Sequence, residues 1–540
     1  MTRQPAAPFS PMDSKAEADP RDFGKSPIPW TRLAGALIFT LLCSIYAAGL
    51  GGAGPGLEGA EKWILFAAAA VGAYMAMNIG ANDVANNLGP AVGSGVLTLG
   101  WALLIAGVFE ALGAVIAGGE VVDTIKGGII NAGAVDDPER FIWLMLAALL
   151  AGAVWLNIAT SLGAPVSTTH SIIGAVMGAG IAAGGWGLVN WSTIGAIVVS
   201  WVLSPVMGGV IAVAFLYLIK RTITYQSDMT RAASQVVPVL LALMGWAFVT
   251  FMLLKGIGQL AKPGIWWSSF WGLVAAVGVY LGPGRLVARQ ALRKQHSKDG
   301  VNQLFTWPLI CAAALLSFAH GANDVANAVG PLAAIFEALK TGVVASKAAT
   351  PLWIMVLGAL GLSVGLALFG ARLIRIVGKE ITELDHMRAY SIAMAATLTV
   401  ILAAQLGMPI STTHVTIGAV IGVGFLRELL KANYAKMEDA VRAAHSGRET
   451  AEVEEYLRRF EAASVKEKQR MYAEMKTRSA ALEREDPLAR KERRAIKKVT
   501  QKELVKRSVL LRIVMAWIIT VPATAVLAAG LFAFIVAFAK

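Results

Sequence analysis

Charged residues and cysteine are both scarce in this sequence. Only 15% of the 540 residues are charged and 56% are hydrophobic, whereas about a quarter of an ordinary soluble domain is charged. The two cysteines, Cys43 and Cys311, both lie in apolar segments, which excludes a disulfide framework. Residues 1–30 lack an apolar h-region, so we expect no cleavable signal peptide there. The composition instead indicates a polytopic membrane protein.

Thirteen apolar segments predict the part of the chain that lies in the membrane. A helix needs about 20 apolar residues to cross a bilayer, and eleven segments approach or exceed that length: 31–51, 62–79, 96–118, 141–160, 193–219, 236–254, 265–283, 305–320, 351–377, 389–405 and 509–538. The segments 168–184 and 411–426 are shorter and rich in glycine. Short, glycine-interrupted spans at matching places in two halves indicate discontinuous helices of a transporter.

The net charge of +13 is explained by where the basic residues lie. They collect between the apolar segments and in the tract 427–508, so no nucleic acid partner is needed to account for them. If all thirteen segments cross once, the positive-inside rule places the N-terminus in the cytosol and the C-terminus outside. We expect 1–30 to be a disordered cytosolic tail and 427–508 a charged helical cytosolic insert.

An internal repeat organises the apolar segments. "GANDVANNLGP" from Gly80 returns as "GANDVANAVGP" from Gly321, and "APVSTTHSIIGAVMGAG" returns as "MPISTTHVTIGAVIGVG". A looser match joins "SWVLSPVMGGVIAVAF" from Ser200 to "AWIITVPATAVLAAGLF" from Ala516. Counterparts lie seven segments apart, so the copies face opposite ways if every segment crosses. The predicted fold is an all-α polytopic membrane protein with two inverted-topology repeats, discontinuous or re-entrant helices and about 12–13 membrane segments.

The repeat also sets the expected domain boundaries. The first copy covers 62–220, and the second covers 305–426 together with 509–538. Segment 31–51 is an extra N-terminal span, and 236–283 holds two spans that connect the copies.

The GANDVAN motifs place carboxylates and amides inside the membrane, where an ionisable group is a functional hypothesis by default. No Lys or Arg lies within either motif. Carboxylate and amide oxygens, with backbone unwound at the motif glycines, form the ligand set of a hard cation such as Na⁺. The alternative is a polar patch that holds helices together. The predicted cation-binding residues are Asn82, Asp83, Asn86, Asn323, Asp324 and Asn327.

The STTH motifs predict an anion site. Pro165 and Pro409 suit the start of a helix, where free backbone N–H groups and the positive end of the helix dipole attract anions. Two such helix starts meeting from opposite sides would enclose a tetrahedral oxyanion, although capping alone could explain one hydroxyl per helix. The predicted anion-binding residues are Ser167, Thr168, Thr169, Ser411, Thr412 and Thr413. Cations held by the aspartates would offset the charge of the anion, which couples the two ligands.

The paired GANDVAN and P-x-STTH motifs resemble the signature of the inorganic phosphate transporter (PiT) family. The resemblance implies a membrane symporter that imports phosphate with Na⁺ or H⁺, often as a homodimer, in the plasma or inner membrane. It implies phosphate at the STTH hydroxyls and backbone, and the cation at the Asn and Asp residues of GANDVAN. Glu110, in "FEALGAV", resembles an acidic position that family members use in transport. Its counterpart in the second copy reads as Gly358.

The histidines allow two interpretations. His170 and His414 end the STTH motifs and are expected to orient the hydroxyls or the phosphate. His320 stands where the first copy has Ile79. A histidine titrates near pH 6.5, so His320 could carry a coupled proton, or it could be a hydrogen-bonded packing residue.

Three other functions compete with phosphate import. A sulfate permease of the same fold would carry the same motifs. An intramembrane hydrolase could use Ser167, His170 and Asp83 as a triad, but two such triads would be redundant. An anion channel would need a continuous polar pore, which is not evident in the sequence. We therefore predict a secondary active phosphate importer in the lipid bilayer, not an enzyme, with no cofactor beyond the coupling ion Na⁺ or H⁺.

Overall fold

The computed structural model describes residues 29–50, 57–131, 134–135, 137–256, 263–293, 297–344, 350–371, 373–374, 384–444, 470–471 and 507–538. The described residues are helical apart from turns, loops and one isolated bridge between Ile130 and Val189. The α-helices are α1 Trp30–Ile45, α2 Ala60–Gly93, α3 Leu99–Ala117, α4 Gly119–Asp123, α5 Pro138–Leu162, α6 Thr168–Gly184, α7 Trp191–Ile219, α8 Met229–Lys255, α9 Ile265–Val279, α10 Arg285–Arg293, α11 Lys298–Leu304, α12 Thr306–Asp324, α13 Ala326–Thr341, α14 Leu352–Phe369, α15 His386–Gln405, α16 Thr412–Ala444 and α17 Arg507–Phe538.

Twelve of the helical segments in these residues are long and apolar enough to cross a membrane. The outer helices expose large apolar side chains, such as Val202, Val206 and Val210 on one face of α7, which is the surface that lipid tails would cover. Trp266 and Trp267 are exposed at the start of α9, as expected of aromatic residues at a membrane interface. The prediction of a multi-pass, all-helical membrane protein is confirmed, and α1 lies where the additional N-terminal span was predicted.

The GANDVAN motifs are helical, so the expectation of backbone unwound at their glycines was wrong. Helix α2 continues through the first motif to Gly93, whereas α12 includes the second motif only as far as Asp324 and α13 resumes at Ala326 after Val325. A Cβ on Gly80 would overlap the carbonyl oxygen of Leu362, and one on Gly321 would overlap that of Glu110. These glycines therefore let two helices cross at backbone distance, a close approach that only a residue without a Cβ permits.

Contacts of this kind occur in reciprocal pairs. Gly113 lies against the carbonyl oxygen of Phe318, and Gly365 lies against that of Met77, with the same spacing along each copy. Such reciprocity is the mark of an approximate twofold axis. Together with the Gly80 and Gly321 contacts, it pairs Glu110 with Leu362. The interpretation of Gly358 as the counterpart of Glu110 was therefore wrong.

The STTH helices α6 and α16 begin as predicted, after a break in the helical chain. Gly163 ends α5 with a φ of 71°, a conformation that favours glycine, and α6 starts five residues later at Thr168. Helix α7 packs on α16, where Pro205 O would meet a Cβ on Gly418. Helix α17 packs on α6, where Gly178 lies against the backbone of Ala525. The looser third match between the copies is thereby confirmed.

Two expectations concern residues outside the described part of the chain. The tail 1–30 is described only at its last two residues, and most of the insert 427–508 lies beyond the described ranges. The N-in, C-out orientation of the termini stays a prediction.

Candidate cation and anion site

The two motif aspartates lie close together inside the protein, with carboxylate oxygens within 4.8 Å of each other. Asp83 in α2 is fully buried and Asp324 at the end of α12 is 1% exposed. The hydroxyl of Thr168 donates to Asp83 Oδ2 at 2.8 Å, and that of Thr412 donates to Asp324 Oδ2 at 2.9 Å. Each carboxylate is therefore held by the same position of the STTH motif in its own copy.

Amide contacts join each copy to the other. Asn86 Nδ2 donates to the hydroxyl oxygen of Thr413 at 2.8 Å, and Asn327 Nδ2 lies 3.3 Å from that of Thr169. The Thr413 hydroxyl also donates to Asp83 Oδ1 at 3.0 Å. The structure thus brings all four motifs into one hydrogen-bond network that crosses the pseudo-twofold axis.

The first asparagine of each motif binds the extended chain that leads into an STTH helix. Asn323 Nδ2 donates to the carbonyl oxygen of Ile410 at 2.8 Å. Asn82, with its amide oriented to satisfy its neighbours, donates to that of Val166 at 3.0 Å. The Thr169 hydroxyl also donates to Ile410 O at 3.0 Å. Because Val166 and Ile410 precede the motif serines, these bonds fix where the two helices begin.

Several amide oxygens in the network are left without a donor. The Oδ1 atoms of Asn86, Asn323 and Asn327 are buried and have no hydrogen-bond partner among the described residues. A buried acceptor without a partner costs about 1–3 kcal/mol. Together with the carboxylates of Asp83 and Asp324, these oxygens form the donor set that a hard cation prefers.

The serines of the STTH motifs have a structural task. Ser167 accepts a hydrogen bond from the backbone N–H of His170 at 3.1 Å, and Ser411 accepts one from His414 at 3.2 Å. Both serines are therefore N-caps, which accounts for one hydroxyl per helix. The threonines, not the serines, contact the carboxylates. Anion binding by the six predicted hydroxyl residues stays a prediction.

A polar triad adjoins one side of the network. His320 Nδ1 lies 3.2 Å from Glu110 Oε1, and Asn87 Nδ2 donates to the same oxygen at 2.8 Å. His320 Nε2 lies 2.9 Å from Asp324 Oδ2 and 3.7 Å from Asp83 Oδ2. The three residues of this triad, Asn87, Glu110 and His320, are fully buried. His320 therefore stands between Glu110 and both motif aspartates.

The triad is not duplicated. The repeat spacing places Ile79 opposite His320 and Ala328 opposite Asn87, and the backbone contacts place Leu362 opposite Glu110. All three counterparts are apolar. Sequence reasoning missed Asn87, although "VANN" in the first motif against "VANA" in the second was a signal for it. The first copy thus contributes a carboxylate, Glu110, and the second an imidazole, His320, and neither has a polar counterpart in the other copy.

Comparison with known proteins shows the family to which the chain belongs. A model of the Phosphate transporter family matches residues 79–528. The chain belongs to the phosphate transporter family. It is 49% identical over 509 residues to a Helicobacter pylori (strain J99) protein described as "Putative phosphate permease", with 93% of this chain and 94% of that protein covered. The resemblance seen in the motifs is confirmed, and the protein is a transporter and not an enzyme.

More distant relatives agree. A protein of the same description from Pyrococcus abyssi is 39% identical over 382 residues, which cover 71% of this chain and 93% of the relative. A solved structure described as "The sodium-dependent phosphate transporter" is 31% identical, with a TM-score of 0.71, and the match covers 88% of this chain and all of that one. The likeness extends over nearly the whole membrane part of the transporter.

Proposed function

We propose that the transporter imports inorganic phosphate by symport with Na⁺, through alternating access around a site built from two inverted half-sites. Phosphate binds between the first turns of α6 and α16, and the cations bind at the GANDVAN carboxylates and amide oxygens. The protein works as a homodimer in the cell membrane, with a cytosolic N-terminus and the C-terminus outside. Membership of the phosphate transporter family supports the substrate.

The observation that carries the coupling is the direction of the hydroxyl hydrogen bonds. Thr168, Thr412 and Thr413 all donate to motif carboxylates. A threonine hydroxyl has only one proton to donate, so a hydroxyl engaged with a carboxylate cannot donate to an anion. A cation that binds the carboxylate takes the place of the threonine hydroxyl as the partner of that carboxylate. The hydroxyl keeps its hydrogen and is then free to donate it to an anion. Cation binding thereby prepares the donors that phosphate needs.

Electrostatic repulsion is a second reason for the cation to bind before phosphate. A phosphate that approached Asp83 and Asp324 without a cation would meet two carboxylates in a buried, poorly screened site. Like unit charges about 4 Å apart repel by about 4 kcal/mol at an effective dielectric constant of 20. No Lys or Arg lies within the four motifs to offset this repulsion. The bound cations are therefore the source of the compensating charge.

The orphan amide oxygens favour Na⁺ over H⁺ as the coupling ion. A proton needs one base, whereas Na⁺ needs a shell of oxygens of the kind that Asn86, Asn323 and Asn327 offer. The similar solved structure is of a transporter described as sodium-dependent, which supports the same choice. Proton coupling remains the alternative, with Glu110, His170, His320 and His414 as the predicted transport or proton residues.

Alternating access follows if the loaded site is bound with different affinity by the inward-facing and outward-facing states. The half-sites belong to different copies, and the bonds of Asn86 to Thr413 and of Asn327 to Thr169 cross between them. Movement of one copy against the other would break and remake the bonds that cross between the copies. The site would thereby open to one side of the membrane at a time.

The decisive experiment measures phosphate binding to the purified transporter in detergent by isothermal titration calorimetry. Sodium chloride is compared with choline chloride at equal ionic strength. We expect Na⁺ to tighten phosphate binding at least tenfold and, because coupling is reciprocal, phosphate to tighten Na⁺ binding by the same factor. Equal phosphate affinity in the two salts would contradict the mechanism. Tight sulfate binding without phosphate binding would replace the substrate.

A further inference from the structure

Four aromatic rings form a column between the two anion half-sites. The ring of His170 lies against Trp201, with centroids 3.6 Å apart, and His414 lies against Trp517, also at 3.6 Å. The two histidine rings meet with centroids 4.4 Å apart. The order is therefore Trp201, His170, His414, Trp517, with the pseudo-twofold axis between the histidines.

The column joins the first turns of the two STTH helices. His170 and His414 are the third residues of α6 and α16, and each directly follows a threonine of the site. Both histidines are nearly fully buried. Since the first turn of a helix moves as a unit, contact between the two rings sets the distance between the threonines of one copy and those of the other.

Each tryptophan is anchored on a helix that packs on the opposite copy. Trp201 is in α7, whose Pro205 and Gly209 lie against Gly418 and Gly422 of α16 at backbone distance. Trp517 is in α17, which makes the same kind of contact with α6. Trp201 therefore packs its ring against the histidine of its own copy, with the two ring planes tilted by 38°, while its helix is held by the other copy. The column is fixed from both ends.

The two tryptophans contact the histidines through their ring faces and not through their indole N–H groups. The Nε1 atoms of Trp201 and Trp517 are buried and have no acceptor among the described residues. A buried tryptophan usually finds an acceptor for its N–H. Each of the two symmetric positions holds a tryptophan whose N–H lacks that bond, so the side chain contributes its ring, which is large, rigid and suited to contact with another aromatic ring.

The geometry points to Trp201 and Trp517 as positioning residues of the anion site: through His170 and His414 they hold the two STTH helix starts at the separation that a tetrahedral oxyanion requires. This role rests on the proposed function and adds residues that no STTH or GANDVAN motif contains. Loss of a ring lets the half-sites drift apart, which weakens anion binding and leaves the cation ligands in place.

The test is phosphate uptake into proteoliposomes by the full-length protein and its variants, with the concentration dependence measured for phosphate and for Na⁺. In Trp201→Leu and Trp517→Leu we expect the KM for phosphate to rise about tenfold, which corresponds to about 1.4 kcal/mol. The KM for Na⁺ stays within a factor of two. Trp201→Phe, which keeps a ring without the N–H, restores the KM to within threefold of wild type.

Trp246→Leu is the matched control, because Trp246 lies in α8 against Ser269 and outside the column. Its phosphate KM should equal that of wild type. If Trp201→Leu does not yield folded protein, Trp201→Met, which keeps bulk without a ring, takes its place. A wild-type phosphate KM in the ring-less variants, or equal increases for phosphate and Na⁺, would overturn the positioning role. Absence of phosphate uptake by wild type would instead refute the proposed function.

Discussion

Replacement of Asp83 by asparagine keeps the shape of the side chain and removes its charge. Asp83 accepts hydrogen bonds from Thr168 at 2.8 Å, Thr413 at 3.0 Å and Asn86 at 3.2 Å. In Asp83→Asn one oxygen becomes an NH₂ group, so one of the two threonine hydroxyls loses its acceptor. Asp83 is the only acidic residue in the first GANDVAN motif. Its replacement therefore removes the negative charge that this motif offers to the cation.

The size of the effect follows from these contacts. Attraction between a carboxylate and a monovalent cation about 4 Å away is worth about 4 kcal/mol at an effective dielectric constant of 20, which is roughly a thousandfold in affinity. The lost hydrogen bond to a charged group costs about 1.5–3 kcal/mol of stability. Removal of a fully buried charge offsets part of that cost. We therefore expect a folded protein whose coupled uptake falls about a thousandfold.

Uptake of labelled phosphate into proteoliposomes under an inward Na⁺ gradient provides the assay, with thermal unfolding in detergent as the measure of folding. Asp385→Asn is the control, because Asp385 caps α15 and an asparagine can cap it equally well; it should transport like wild type. Normal Na⁺-dependent uptake by Asp83→Asn would refute the assignment of this carboxylate to the cation site.

Three further perturbations test other parts of the site. Asn86→Ala removes both an orphan oxygen and the bond to the other copy, so the KM for Na⁺ should rise at least tenfold in uptake assays. Glu110→Gln keeps the bulk of the unduplicated carboxylate but not its charge, and should lower the uptake rate at least tenfold with little change in phosphate affinity measured by calorimetry. Gly321→Ala forces a Cβ against the backbone of Glu110, which should destabilise the protein by about 1–3 kcal/mol in thermal unfolding.

Two of these changes, Asn86→Ala and Gly321→Ala, have a control elsewhere in the chain. Asn78 is a nearly buried asparagine whose Nδ2 bonds within α2 to Tyr74, so Asn78→Ala should leave the KM for Na⁺ unchanged. Gly100→Ala places a Cβ in open space in α3 and should not lower the unfolding temperature. Equal effects of test and control variants would contradict the assigned roles, as would wild-type uptake by Glu110→Gln.

The sequence predicted the helical membrane fold and the residues that meet at its centre. Apolar runs separated by charged loops leave little choice but membrane helices, and the repeated motifs implied a site shared between two copies. The residues in GANDVAN and STTH do contact one another across the copies, as the bond from Asn86 to Thr413 shows. Such contacts could be inferred because the same unusual polar residues occurred twice in the same order.

The local role of glycine could not be read from the sequence. Glycine weakens a helix, and it also allows two helices to cross without Cβ contact, so Gly80 and Gly321 were consistent with either structure. Only the position of the partner backbone at Leu362 and Glu110 decides between them. For the same reason the counterpart of Glu110 was placed at Gly358, four residues from Leu362. Sequence similarity alone does not show which backbone segments are in contact.

Two other features depend on packing between distant segments. Asn87 acts through Glu110, and Trp201 and Trp517 act through the STTH histidines. Neither relation follows from the spacing of residues within one helix. The triad also breaks the twofold symmetry, because Leu362 stands where the other copy has the carboxylate of Glu110. This asymmetry becomes apparent only when the copies are matched by their backbone contacts.

Coupled phosphate uptake tests the central claim most directly. Proteoliposomes with the purified transporter receive labelled phosphate under an inward Na⁺ gradient, a proton gradient or no gradient, each with and without excess sulfate. The account predicts accumulation under the Na⁺ gradient that sulfate does not inhibit. Uptake that depends on the proton gradient alone would show that the coupling ion is H⁺ and not Na⁺. Passive phosphate flux that ignores both gradients, or accumulation of sulfate in its place, would contradict the account.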